Sequence, residues 1–447
     1  MAKDRGSFSK IGFILAAAGS AVGLGNLWKF PYTVGENGGG LFVLIYLLSV
    51  IIIALPVLMA EICLGRHTQK NLVGAYEKIK PKTPWKLAGY LGVLTGLMIL
   101  SFYSVIAGST IGYFFKAITG QFTNITGTQA IEIYRGFSSN NILQIFLLAL
   151  FIFITVYVVS RGVSGGIEKY SKILMPVLFG ILTLLLIRSL TLKNAAKGVE
   201  FYLKPDLKAL TPGLIVAAMS QAFFSLSLGM GTMVTYGSYV AKKENIPTSA
   251  GWIAFFDTAI AILAGFIIFP AIFSQGMDPA QGSGTMFNVI PVLFAKMPGG
   301  IIFCPLFFLL LSIAALTSTI SVLEVPVAFV VDEKNWDRKK AAYIIGFISI
   351  LFGIPSALSQ GGVKFFSHLP LIGMGFLELW LLIWGSIALS IGAFFIATFI
   401  GYAWKTNGAI RELKQGAENF KLGAVWAVAI KYVAPILILL ILISSIL

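Results

Sequence analysis

Two short polar interruptions of apolar sequence hold the residues that could do chemistry. Residues 18–31 read AGSAVGLGNLWKFP, with three glycines, an asparagine and a lysine, and residues 225–231 read SLSLGMG. In hydrocarbon a free backbone N–H or C=O is costly, so a helix opens there only where it faces an ion, a ligand or a polar cavity. Freed carbonyls suit Na⁺, and the N–H groups that begin a half-helix suit a carboxylate. The two segments therefore predict a site for a cation and a small carboxylate.

A buried carboxylate extends this prediction. Asp257 lies roughly a third of the way into the apolar segment 248–274, where an unpaired charge is costly. We expect a cation as its partner, and a structural pairing with a neighbouring lysine is the alternative. The glycines of residues 18–31 alone would be typical of helix packing, but packing needs neither the amide of Asn26 nor the ammonium of Lys29.

The elements that must position these residues are membrane-spanning helices. The 447 residues are 57% hydrophobic and only 11% charged, which excludes an ordinary soluble globule. The mean hydropathy is +0.89. Cys63 and Cys304 lack a C-x-x-C partner and are predicted to be small buried hydrophobes. Two histidines are too few for a histidine-based metal or catalytic cluster, and the net charge of +15 is scattered through loops, which does not favour nucleic-acid binding.

Hydropathy, with Pro, Gly and charge clusters as boundaries, predicts eleven spans. They lie at 11–34, 39–65, 87–118, 141–160, 167–190, 211–240, 248–274, 300–331, 341–357, 370–404 and 424–446. Segments expected on the inner side carry about 22 of the 33 Lys and Arg residues, which indicates a cytoplasmic N-terminus and an outside C-terminus in the inner (plasma) membrane. The longest outer segments, 119–140, 191–210 and 275–299, are predicted to be packed loops.

The interrupted spans 1 and 6 stand five spans apart. This spacing predicts two five-span halves of inverted topology with a binding site between them. We therefore expect one all-α transmembrane domain over 1–447, with a first repeat at 1–190, a second at 211–404 and an additional span 11 at 424–446.

Several long motifs resemble one family over nearly the whole chain. They are AAAGSAVGLGNLWKFPY, ENGGG, SQAFFSLSLGMGTMVTYGSYV, FPAIFSQ and AALTSTISVLE. They are similar to those of bacterial members of the neurotransmitter:sodium symporter family. The resemblance implies the leucine-transporter-like fold and a transporter, not an enzyme, that imports amino acids with Na⁺ by alternating access.

The resemblance also implies two sodium sites. One, here called the span 8 site, would comprise carbonyls of Gly19, Val22 and Ala314 with hydroxyls of Thr317 and Ser318. The other, the span 7 site, would lie between Ala21, Asn26, Ser225 and Asp257 and touch the substrate carboxylate. All these ligands are oxygens, as a hard cation requires. Because Asp257 is a fixed negative charge near the region where animal relatives place chloride, we expect no chloride requirement.

For the substrate, the resemblance implies an amino acid. Its carboxylate would meet Ala21, Gly23 and Gly25 of span 1 and the hydroxyl of Tyr103. The pocket walls would be Ser20, Ile99, Tyr103, Phe224, Ser227, Met230, Ser318 and Val322. Met230 stands where some relatives have Phe, and a flexible thioether leaves room for aromatic or large apolar side chains such as Trp, Tyr or Leu. The walls contain no acid, which argues against cationic monoamines.

The same resemblance implies gating residues at the two ends of the transport pathway. Lys29 replaces an Arg common in the family, and its usual acidic partner aligns with Leu381, so Glu378 one helical turn away is the expected substitute. On the cytoplasmic side Arg5 and Asp332 match an inner pair, with Tyr239 nearby.

The sequence also bears on three alternatives to a symporter. A proton-coupled transporter with Asp257 as the proton carrier stays open as the alternative. An ion channel would need a ring-forming filter, which neither interruption resembles. An intramembrane enzyme would need a nucleophile and base at helical spacing, which the sequence lacks. The expected partners are an amino acid, sodium ions and the lipid bilayer.

Overall fold

Apolar helices account for most of the chain. The computed structural model describes residues 6–280, 286–418 and 420–446, and in that part nine continuous helices are long and apolar enough to cross a membrane. They are Gly40–Thr68, Lys86–Ile118, Asn141–Ser160, Val163–Leu190, Ile246–Ser274, Gly300–Lys334, Arg338–Leu358, Phe376–Ala403 and Gly423–Ser445. We number them in this order spans 2, 3, 4, 5, 7, 8, 9, 10 and 11.

Spans 1 and 6 are the interrupted ones. Span 1 consists of Lys10–Ala21 and Gly25–Glu36, bent by 49° at the break. Span 6 consists of Pro212–Ser225 and Thr232–Gly237, separated by the non-helical residues 226–231. The all-α fold and both broken helices are thus confirmed, and each of the eleven predicted spans coincides with a helical segment. The division into one domain with two inverted repeats stays a prediction.

The segments between spans are more helical than predicted. Short helices Gly127–Ser138, Ala195–Leu203 and Val289–Lys296 occupy the three segments expected to be loops. Each buries apolar side chains against the bundle. The expectation of loops was wrong because an apolar face over 8 to 12 residues barely rises above the surrounding apolar sequence. Two further helices, Leu72–Ile79 and Thr406–Lys414, follow spans 2 and 10.

Glycines bring the broken span 6 against span 10. Gly229 has a φ of +93°, and a Cβ there would lie 2.1 Å from the carbonyl oxygen of Leu389. A Cβ on Gly392 would lie 2.0 Å from the carbonyl oxygen of Gly229. Span 1 packs against spans 5, 7 and 8, and span 8 runs along span 3. Both breaks are therefore enclosed by protein rather than lipid, as unwound backbone requires.

The two cysteines lie in separate parts of the interior. Cys63 and Cys304 are both buried free thiols, in agreement with their predicted packing role. Neither is available for disulfide chemistry with the other.

Candidate substrate and sodium site

The break in span 1 is held open by side chains. The backbone leaves the helix at Val22, which is extended with φ −72° and ψ 105°. Asn26 accepts the N–H of Gly23 on its side-chain oxygen at 3.1 Å. Tyr103 of span 3 accepts the N–H of Leu24 on its hydroxyl at 3.0 Å. Two donors released by the broken helix are thus each accepted by a side chain, one of span 1 and one of span 3.

The break in span 6 faces that of span 1. Ser227 adopts a left-handed backbone with φ 54°, and its hydroxyl donates to the carbonyl of Ser20 at 3.0 Å. The N–H of Gly229 donates to a carboxylate oxygen of Glu61 in span 2 at 2.7 Å. A side chain from a neighbouring span therefore supports the unwound backbone, and the hydroxyl of Ser227 joins the two breaks directly.

The span 7 site is assembled by three side chains from three spans. The amide nitrogen of Asn26 donates to a carboxylate oxygen of Asp257 at 2.7 Å and to the hydroxyl of Ser225 at 2.9 Å. Ser225 in turn lies 2.8 Å from both carboxylate oxygens. Ala21, the last residue of the first half-helix, is buried beside the break. Since no Lys or Arg of the described residues forms an ion pair with Asp257, a pairing with lysine is not what holds this charge.

The fold also brings residues of the predicted span 8 site into contact. A Cβ on Gly19 would lie 3.2 Å from Cβ of Thr317, so span 1 and span 8 are in contact there. The hydroxyl of Ser318 donates to the carbonyl of Val22 at 3.3 Å, and that of Thr317 donates to the carbonyl of Ala314 at 3.0 Å. Spans 1 and 8 therefore meet at Gly19 and Val22, and the predicted donor set is oxygen throughout, which suits Na⁺.

A cavity of about 650 Å³ is lined by Leu24 and Gly25 of the span 1 break and by Phe224, just before the span 6 break. Of the predicted substrate residues it is lined by Gly25, Ile99, Tyr103 and Phe224. The others do not line it and are buried, at 1% to 9% exposure where the residue has a side chain: Ser20, Ala21, Gly23, Ser227, Met230, Ser318 and Val322. The hydroxyls of Ser318 and Ser227 both donate to the carbonyl of Ser20. These hydrogen bonds join spans 1, 6 and 8 among the buried residues that do not line the cavity.

Known proteins are similar to this chain over most of its length. The model of the sodium:neurotransmitter symporter family matches residues 5–133 and 128–447. The chain is 38% identical to an uncharacterised sodium-dependent transporter of Bacillus subtilis (strain 168), over 98% of its own length and 97% of that protein. It is 27% identical to the sodium- and chloride-dependent taurine transporter of Homo sapiens, over 84% of its length and 70% of that protein.

A solved structure extends the comparison to the fold. The crystal structure of MhsT in complex with L-phenylalanine matches with a TM-score of 0.90 and 45% identity, covering 99% of this chain and 100% of that one. This chain belongs to the sodium:neurotransmitter symporter family. It is therefore a sodium-dependent symporter in the membrane and not an enzyme. Because the family consists of sodium-dependent symporters, its match replaces the ion-channel and proton-coupled alternatives.

At one end of the symporter the cavity is open. Lys29, Glu378 and Leu381 all line it, but among the described residues Lys29 and Glu378 form no ion pair. The ammonium of Lys29 instead lies 4.1 Å from the ring centroid of Phe224, and Glu378 accepts the N–H of Gly375 at 3.0 Å. The expected Lys29–Glu378 contact is thus absent in this conformation, because the cavity separates span 1 from span 10.

At the opposite end the symporter is closed. Phe8 donates its N–H to the carbonyl of Tyr239 at 3.1 Å and packs its ring edge-on against that of Tyr239, with centroids 6.0 Å apart. The hydroxyl of Tyr239 donates to Glu324 at 2.5 Å, and Glu324 pairs with Arg338 at 2.8 Å. Asp332 accepts both the N–H and the side-chain amide of Asn71. Arg5, its predicted partner, lies outside the described residues.

Sequence reasoning missed two residues at this closed end. Phe8 is the one aromatic residue of the polar segment 1–10, which is a signal that this segment docks on protein. Arg338 gives no such signal, because nothing local indicates that it reaches a glutamate 14 positions earlier. Gln221 of span 6 also reaches span 1, where its side-chain amide donates to the carbonyl of Gly25 at 2.8 Å.

Proposed function

We propose that this symporter imports amino acids together with Na⁺, with aromatic and large apolar side chains preferred. The observation that carries the proposal is the pair of facing helix breaks beside the large cavity, where Tyr103 lines the cavity and its hydroxyl accepts a backbone N–H of the span 1 break. The cavity of about 650 Å³ has room for a bulky side chain. MhsT, whose structure contains L-phenylalanine, supports the same class of substrate.

Two sodium ions would move with each substrate as co-transported cargo. The span 8 site would hold one ion between spans 1 and 8 and fix the bent half-helix in place. The span 7 site would hold the other next to the substrate carboxylate, so that ion and substrate stabilise each other. Differential affinity of these ligands for the two end states would supply the coupling.

The symporter would not require chloride. Asp257 is fully buried and supplies a permanent negative charge where the span 7 site binds its cation. With that charge built into span 7, an added anion is not needed to balance the ion. In this respect it would differ from the sodium- and chloride-dependent taurine transporter.

The conformation corresponds to an outward-facing state. We place the N-terminus in the cytoplasm because the segments on that side carry most of the Lys and Arg residues. With this orientation the open cavity faces outward, and Phe8, Tyr239 and Glu324 close the cytoplasmic side. Closing of the outer side over Phe224, followed by release of the N-terminal segment, would complete alternating access in the inner (plasma) membrane.

Uptake into proteoliposomes tests the proposal. Labelled tyrosine, tryptophan and leucine are supplied with an inward Na⁺ gradient or with K⁺ on both sides, and chloride is replaced by gluconate in a parallel series. We expect accumulation that requires Na⁺, ranks the aromatic substrates first and is unchanged in gluconate. Accumulation of leucine alone would refute the aromatic preference, and loss of uptake in gluconate would refute chloride independence.

A single tyrosine on span 3 provides a sharper test of the site. Tyr103→Phe removes the hydroxyl beside the span 1 donors and should raise the substrate concentration for half-maximal uptake about tenfold, the usual effect of losing a hydrogen bond to a charged group. Tyr113→Phe is the matched control, since this buried hydroxyl on the same helix has no hydrogen-bond partner among the described residues. Equal uptake by both variants would contradict the placement of the substrate carboxylate.

A further inference from the structure

Spans 10 and 11 meet at a pair of π-helical turns. In span 10 the N–H of Trp404 bonds to the carbonyl of Phe399, and in span 11 the N–H of Ala434 bonds to that of Ala429, each five residues back. Such turns are rare, leave a carbonyl without its usual partner and occur often at functional sites. The two turns, Phe399–Ala403 and Ala429–Val433, pack against each other. The helices are therefore locally deformed at the same level.

A lysine stands at the centre of this contact. A Cβ on Gly401 would lie 3.2 Å from Cα of Lys431, so only a small residue allows the approach. The hydroxyl of Tyr402 donates to the carbonyl of Lys431 at 3.0 Å. The ammonium of Lys431 lies 5.5 Å from the ring centroid of Tyr402 and 5.1 Å from that of Tyr432. Both rings hold the cation in position.

This lysine lies inside the hydrophobic length of the span. It follows Gly423, the first residue of span 11, by roughly 12 Å at 1.5 Å per residue. Tyr402 is 53% and Tyr432 50% exposed on the outer surface of the bundle, so the group faces lipid. Among the described residues no carboxylate lies within ion-pair distance of Lys431. A partly exposed cation beside the end of span 10, with no acid of the described residues as its partner, is placed to take an anion from the membrane.

The surrounding charge favours an anionic lipid over a zwitterionic one. The segment joining spans 10 and 11 carries four basic side chains: Lys405, Arg411, Lys414 and Lys421. Of its two acids, Glu412 is buried against Arg66, which leaves Glu418 as the exposed one. Basic segments next to spans attract anionic headgroups at about 1 kcal/mol per Lys or Arg, and would repel a choline or ethanolamine group.

We propose that Lys431 and Tyr432, held by Tyr402 and the paired π turns of spans 10 and 11, bind the phosphodiester of an anionic phospholipid. The ammonium supplies the charge and the hydroxyl of Tyr432 a second donor, while the acyl chains lie along the exposed apolar faces of both spans. This site is separate from the transport pathway and does not depend on the substrate or ions proposed above.

Lipid binding to the purified, delipidated full chain tests the site. Occupancy is measured by native mass spectrometry in detergent during titration with short-chain phosphatidylglycerol or phosphatidylcholine, with inorganic phosphate as a competitor. The variants are Lys431→Gln and Lys431→Arg. Lys340→Gln is the matched control, because Lys340 also lies over an aromatic ring, 5.2 Å from the centroid of Trp336, on the same side of the bundle.

We expect phosphatidylglycerol to bind the wild type more tightly than phosphatidylcholine and to resist millimolar phosphate. Lys431→Gln should weaken that binding about fivefold, while Lys431→Arg and Lys340→Gln retain it. If Lys431→Gln does not fold, Tyr432→Phe replaces it and should weaken binding about tenfold through loss of one hydrogen bond to the phosphodiester anion. Equal binding of both lipids, displacement by phosphate, or full binding by folded Lys431→Gln or Tyr432→Phe would overturn the proposal.

Discussion

Replacing Glu412 by glutamine should destabilise the symporter far from its transport pathway. Glu412 lies on the connecting helix Thr406–Lys414 and is 2% exposed. Its carboxylate accepts from Arg66 at 2.8 Å, lies 3.0 Å from a ring nitrogen of His67, and is 3.3 Å from the ammonium of Lys242. Arg66 is fully buried at the end of span 2. The carboxylate therefore joins the end of span 2 to the segment that connects spans 10 and 11.

The expected loss of stability in Glu412→Gln follows from the charges around this carboxylate. Burial by itself would raise the pKa of Glu412, but the His67 hydrogen bond and the charges of Arg66 and Lys242 outweigh it and lower the pKa from 4.5 to about 2. Since a tenfold change in proton affinity is about 1.4 kcal/mol, this fall corresponds to roughly 3 kcal/mol of stability at neutral pH. Removing one partner of a buried ion pair costs ~3–5 kcal/mol, a consistent range.

The sign of the pH dependence separates this mechanism from a packing defect. A depressed folded-state pKa stabilises the protein fully above the unfolded pKa of 4.5, and the contribution is lost as the pH falls towards 2. The stability gap between wild type and Glu412→Gln should therefore be widest at pH 7 and shrink steadily below pH about 4.5.

Equilibrium unfolding by sodium dodecyl sulfate in mixed micelles, followed by tryptophan fluorescence, measures this gap at several pH values. Glu200→Gln is the control, because Glu200 pairs with Lys204 on the surface at 63% exposure and should change stability by less than about 1 kcal/mol. A gap at pH 7 no larger than that of the control, or one that stays constant as the pH falls, would refute the reasoning.

Two further predictions concern the transport site. In Gly23→Ala the added Cβ would lie 2.5 Å from the hydroxyl of Ser318 and 2.9 Å from that of Tyr103, so Na⁺-driven uptake should fall at least about tenfold, whereas Gly180→Ala, with no atom within 4 Å of the new Cβ, should transport normally. Asp257→Asn should raise the Na⁺ concentration for half-maximal uptake about tenfold, because a neutral amide replaces the charged ligand of the span 7 site. Uptake measured against Na⁺ concentration decides both, and an unchanged Na⁺ requirement in Asp257→Asn would exclude its role as a ligand.

The positions of the apolar helices and the location of both breaks could be predicted from the sequence. These features are local: twenty or so apolar residues must form a helix in lipid, and a polar, glycine-rich interruption must face something other than lipid. The residues around the breaks are equally visible, since Asn26, Ser225 and Asp257 are polar groups at membrane depth. The structure brings these three together at hydrogen-bonding distances.

Only the tertiary structure decided which side chains pair between distant spans. Glu378 lies one helical turn from the expected gate position, yet the open cavity keeps it from Lys29. Arg66 and Glu412 are 346 positions apart, and a lone arginine at the end of an apolar helix looks like any other positive-inside residue. The contact of Lys431 with Gly401 depends on two π turns that carry no local signature. Helix formation in lipid is dictated by residues a few positions apart, whereas partners and conformational state depend on how the completed helices pack.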